Sequence, residues 1–219
     1  MSDIALPVLK VKPRLRGVSH QIAFFVSLAA AAALVAWARP GAARGAAAVF
    51  GGSVALLLGT SALYHRRHWE ALGRERMRRL DHAAIFVLIA GGYTPLLMAL
   101  PLPGGGHLPL FAIWGGAALG VVKSLVWPNA PKWIIAALCV VLGWTGIGEV
   151  AKRASILGPT CVGLIVASGL VYSAGALVYA RRRPDPIPAV FGYHEVFHAL
   201  VLVATAFLYV HAVLVLRLA

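Results

Sequence analysis

Phe191-Gly192-Tyr193-His194-Glu195-Val196-Phe197-His198, followed by an almost uninterrupted apolar run to Leu216, decides the fold. A run of this length reads as a helix long enough to cross a bilayer, which takes ~20 residues. In a helix His194 and His198 stand at i and i+4, on one face and roughly 6 Å apart along the axis. Two imidazoles so placed can hold one metal ion. Ionisable side chains inside a membrane span are rare and tend to be functional.

The rest of the chain has the same character. Its 219 residues are 60% hydrophobic and only 12% charged, about half the charged share of a soluble domain. The expected fold class is all-α: a polytopic membrane protein built as a bundle of seven transmembrane helices. Apolar runs at about residues 18–38, 45–65, 82–100, 107–127, 132–150, 157–180 and 193–216 supply the spans. Residues 1–16 read as a basic cytoplasmic segment and residues 17–219 as the membrane domain. The first run is too long for a signal-peptide core and is read as an uncleaved span.

A formal charge of +13 does not imply nucleic acid, because the basic residues flank apolar runs. They set topology and meet membrane lipids, which are the expected partners. With the N-terminus cytoplasmic, fifteen of the 20 Lys and Arg fall on the inner side, among them Arg66 to Arg79 and Arg181 to Arg183. Cys139 and Cys161 fall within spans and imply no disulfide framework. Gly116 and Gly120 form a GxxxG spacing that marks close helix packing. Pro and Gly punctuate the loops, notably from Pro101 to Gly106.

The alternating directions of the spans bring distant residues to one depth. The second span ends at Ser61-Ala62-Leu63-Tyr64-His65, the third starts with Leu80-Asp81-His82, and the seventh starts with His194 and His198. All should lie near the inner leaflet. His65, His194 and His198 with a water would make the open zinc site used in catalysis, so Zn2+ is the expected cofactor. Asp81 and Ser61 are the candidate catalytic residues: Asp81 to hold that water or take its proton, Ser61 to orient it or bind a developing oxyanion. Glu195 and His82 are candidates to support the ligands from behind.

Each residue also has a plainer reading. His65 alone would satisfy local polar groups, Ser61 would bond back to its own helix, and Asp81 would cap a helix. His20, His107 and His211 read as interfacial or packing residues. His194-Glu195-Val196-Phe197-His198 also fits the HExxH pattern of zinc proteases, which leaves an intramembrane metalloprotease with Asp81 as third ligand open. Paired haem ligation does not suit two histidines on one face.

Ser61-x-x-x-His65, Asp81 and His194-x-x-x-His198, with Gly92-Tyr93-Thr94-Pro95, together resemble the progestin and adipoQ receptor family. The bacterial haemolysin III branch is the most similar. The resemblance covers all seven spans. It implies zinc held by the residues matching His65, His194 and His198, with Ser61 and Asp81 around the water, in a bacterial inner (plasma) membrane. Kinship with alkaline ceramidases implies a hydrolase acting on a lipid amide or ester. A long N-terminal domain of the receptor type is lacking, so a hormone-receptor role is not expected. The other readings are a non-enzymatic lipid or fluidity sensor, or a cytolysin, in which zinc only ties the second helix to the seventh.

Overall fold

The computed structural model describes residues 12–102 and 107–219. The expectations for residues 1–11, including Lys10, and for the tip of the Pro101-to-Gly106 loop lie outside the described residues. Among the described residues eight α-helices follow in order: α1 (Val18–Trp37), α2 (Ala42–Arg66), α3 (Ala71–Thr94), α4 (Leu108–Val126), α5 (Lys132–Thr145), α6 (Ile147–Lys152), α7 (Ala154–Arg181) and α8 (Tyr193–Leu218). A π-helical turn, Pro95–Ala99, extends α3, and α6 continues α5. Seven helical segments are therefore long and apolar enough to span a membrane. Among the described residues the only β feature is an isolated bridge between Ile187 and Phe191.

Successive helices pack side by side from α1 to α4, α5 leans on α7, and α8 closes the ring against α7, α1 and α2. Phe25, Phe111, Leu119, Val126 and Val141 are exposed on the outside of this ring. Water would not tolerate so much contiguous apolar surface, whereas lipid does. The GxxxG spacing has a local cause. A side chain at Gly120 would run into the ring of Phe86 on α3, and one at Gly116 would meet Leu142 on α5. These glycines let α4 approach its neighbours closely.

One boundary differs from the sequence expectation in a way that matters. α3 begins at Ala71, not near residue 82. Its first turns, Ala71-Leu72-Gly73-Arg74-Glu75-Arg76-Met77-Arg78, are charged but mostly strong helix formers. A Glu75–Arg79 pair at 2.5 Å joins residues i and i+4 there. Asp81 is thus ten residues inside a helix and is not a helix cap; the N-cap position is Glu70. α7 has a break of its own at Gly158, where φ is 71°, just before Pro159.

Candidate metal centre and the cavity behind it

The end of α2 and the start of α8 lie at the same end of the bundle. α2 carries Ser61 and His65 there on one face, and α8 carries His194 and His198 in its first turns. The Nε2 atoms of His65 and His194 are 3.1 Å apart. One ligand-type atom from each of His65, His194 and His198 lies within 4.8 Å of the others. His65 and His198 are buried and His194 is partly buried. Bonds of ~2.0–2.1 Å in a tetrahedral site put ligand nitrogens about 3.3 Å apart, close to the His65–His194 separation. Neutral, desolvated imidazoles are suitable donors for a divalent transition ion. The residues present fit such an ion. Asp81, the third ligand in the protease reading, is not part of this group.

A cover of main chain closes the group from outside. The segment before α1 donates Arg14 N–H to the Ala189 carbonyl at 3.0 Å and Leu15 N–H to the Val190 carbonyl at 3.1 Å. Lys12 Nζ donates to the His65 carbonyl at the end of α2, where a cation also meets the helix dipole. Burial first, then the charges of Arg16, Arg66 and Arg74, push the Lys12 ammonium below its ordinary pKa. Gly17 adopts φ 77°, and a Cβ there would stand 2.5 Å from the Cβ of His65. Only glycine lets the chain turn into α1 this close to the histidine.

Arg16 pairs with Glu195. The other carboxylate oxygen of Glu195 accepts the Gly192 N–H at 2.8 Å, the acidic half of a capping box. Glu195 is buried and makes no hydrogen bond to the histidines. The structure therefore gives it a clamping position between the cover and α8. His82 places its Nε2 3.4 Å from the Tyr179 hydroxyl and lines the same cavity as the three histidines.

Inward of the histidines lies a cavity of about 460 Å³, within the range of small-molecule sites. Ser61, His65, Asp81, His82, His194 and His198 all line it. α5 forms its far wall. Ile135, Ala136, Cys139, Val140, Gly143 and Trp144 recur at the helical period and all line the space. Of the helix's 14 residues only Ile135 is fully buried, because the opposite face, with Trp133, Leu138 and Val141, is exposed on the outside of the bundle. From Lys132 to Trp144 is twelve residues, about 18 Å of helix at 1.5 Å per residue.

His20 was read as interfacial or packing from sequence. It is 2% exposed and stacks on His198, with ring centroids 3.8 Å apart and planes 8° from parallel. Its depth was a usable signal, since it starts the first span on the side where His65 ends the second. Arg16, Lys132 and Tyr179 also line the cavity and drew no notice as site residues. His211 is a packing residue as expected: fully buried, with Nδ1 2.9 Å from the Cys161 carbonyl at the α7–α8 contact.

Seven membrane-spanning helices with a three-histidine group bridging the second and the last define a class of heptahelical membrane proteins. The chain belongs to the Haemolysin-III related family, whose model matches residues 9–209; this is the branch of the progestin and adipoQ receptor family that its motifs resemble. It is 31% identical over 159 residues to a Hemolysin-3 homolog of Bacillus subtilis (strain 168), covering 72% of this chain and 71% of that one. Hemolysin-3 of Bacillus cereus is 32% identical over 164 residues, covering 74% and 70%. Heptahelical transmembrane protein 4 of Arabidopsis thaliana is 31% identical over 188 residues, covering 77% of this chain and 47% of the plant protein.

Proposed function

We propose that this protein is a zinc-dependent hydrolase of the inner membrane, with its N-terminus cytoplasmic, acting on a lipid amide or ester from the inner leaflet. One observation carries the reading: three imidazoles from distant parts of the chain converge in the wall of a largely apolar cavity that Ser61 and Asp81 also line. A structural tie between α2 and α8 would need the histidines but not the cavity.

Zinc held by His65, His194 and His198 would polarise an acyl carbonyl and acidify a water. The chain's own residues do the remainder. The cavity takes the acyl chain and excludes bulk water from the bond to be cut. Asp81, in the cavity wall with Ser61, accepts the proton of the attacking water and returns one to the leaving group. The Ser61 hydroxyl orients that water or donates to the developing oxyanion. The covering segment from Lys12 to Gly17 keeps the histidines out of bulk solvent.

The relatives named Hemolysin-3 favour a second reading, a cytolysin with a purely structural metal. One experiment separates the two. The purified protein and its His65→Ala and His198→Ala variants are analysed for metal, then assayed for fatty-acid release from lipid amides and esters and for leakage of vesicles. Metal-dependent release without leakage supports the hydrolase. Full metal content with leakage and no release from any lipid tested overturns it.

A further inference from the structure

The rim of the cavity carries more positive charge than the chain itself balances. Arg16, Arg78 and Lys132 all line it, but only Arg16 has a carboxylate partner, Glu195. Arg78 donates from Nη2 to the neutral Asn129 side chain at 2.6 Å, and its Nε is buried with no partner. Lys132 donates to the Tyr193 hydroxyl at 2.8 Å. Among the described residues neither Arg78 nor Lys132 forms an ion pair. Lys123 on α4 has its ammonium buried and without a hydrogen-bond partner. His82 lines the same cavity as Arg78 and Lys132. Cations partly withdrawn from water are costly unless an anion completes them. Glu75 and Asp81 stand three residues to either side of Arg78 on α3, but Glu75 pairs with Arg79 and neither forms an ion pair with Arg78.

The same rim is ill suited to a cationic or zwitterionic head. Tyr179 and Tyr193 could form an aromatic wall for a quaternary ammonium. Lys132 already occupies both faces, 4.3 Å and 4.9 Å from their centroids. Behind the rim the lining is mostly apolar as far as Trp144, with Ser168, Tyr172 and Ser173 as its polar members.

We propose that the cavity binds a lipid whose head is an acid, a carboxylate or phosphate held by Arg78 and Lys132, with its acyl chain directed along α5 toward Trp144. This rests on the hydrolase reading for the reaction but not for the binding. The substrate class is then an acyl ester or amide of an acidic head group. Hydrolysis adds water across its acyl C–O or C–N bond. The water oxygen joins the acyl carbon to give a fatty acid, and the leaving oxygen or nitrogen of the head takes a proton.

Binding is measured on the full chain in neutral-lipid nanodiscs, with and without zinc, using palmitate, hexadecyl phosphate, hexadecanol and inorganic phosphate. Trp144 fluorescence, isolated by difference against Trp144→Phe, reports occupancy. Palmitate and hexadecyl phosphate are expected to bind about tenfold or more tighter than hexadecanol, as charge-assisted hydrogen bonds allow. Inorganic phosphate should not compete. The preference should fall toward unity in Arg78→Gln/Lys132→Gln and survive in Arg78→Lys. Equal binding of hexadecanol, effective competition by inorganic phosphate, or a preference that vanishes without metal would each overturn the proposal. Hydrolysis confined to neutral-headed lipids sinks this inference and leaves the hydrolase reading standing. Selective anion binding without hydrolysis of any lipid does the reverse.

Discussion

His20 lies flat on His198, ring over ring, beside the three-histidine group. Neither nitrogen of His20 makes a well-formed hydrogen bond, so the contact acts through its face and not through a shared proton. A flat neighbour fixes the plane of the His198 ring and thus the direction of its lone pair. Residues that orient a ligand typically change metal affinity by about 10–100-fold when removed. His20→Ala should therefore weaken zinc binding by about that factor, while His20→Phe, which keeps a stacking face, should retain most of it. Competition against a chromogenic chelator measures both. Wild-type affinity in His20→Ala would mean that the ring only fills space.

The three-histidine group itself predicts a link between metal and stability. An ion held by all three histidines would bind the folded arrangement and not separated helices, and so would raise the unfolding temperature by mass action. Chelation should lower the thermal midpoint of the wild type. His65→Ala and His198→Ala should start at about the chelated value and hardly respond to chelator. A full shift on chelation in either variant would show that the metal sits elsewhere.

Asp81 lines the cavity but is outside the group of metal donors. Asp81→Asn keeps shape and removes the proton acceptor. Metal content should stay at the wild-type level, and lipid hydrolysis should fall by about 10²–10⁴, the usual worth of a general base. Unchanged turnover would remove Asp81 from the mechanism; lost metal would make it part of the binding site.

What the sequence disclosed and what it hid follow from the same physics. The spans were legible because each must carry enough apolar residues to cross the bilayer. The meeting of His65 with His194 and His198 was legible because alternating helix directions fix depth, whatever the separation along the chain. The start of α3 was not, since hydropathy reads Arg74 to Arg79 as loop while helix propensity carries the helix through them. His20 has no partner at i+4 and looked ordinary. The cavity was invisible because it is space between helices: Ile135, Cys139 and Gly143 face it, yet in sequence they look like any packed stripe.

The clamp between the covering segment and α8 gives the last prediction. Glu195 is 3% exposed and Arg16 20%, so removing the arginine leaves a buried carboxylate with only the Gly192 N–H as partner. Breaking a buried pair from one side costs on the order of 3–5 kcal/mol, and partial exposure of Arg16 should bring the figure toward the lower end. Glu195→Gln is a gentler change. Its amide oxygen can still accept from Gly192, and the freed guanidinium can turn toward water. Arg16→Ala should therefore lower the thermal midpoint more than Glu195→Gln, and the double variant should lose less than the two single losses combined. Strict additivity would mean that the two side chains stabilise the fold independently and that the cover is held by its other contacts, the main-chain bonds to Ala189 and Val190 and the Lys12 bond to the His65 carbonyl.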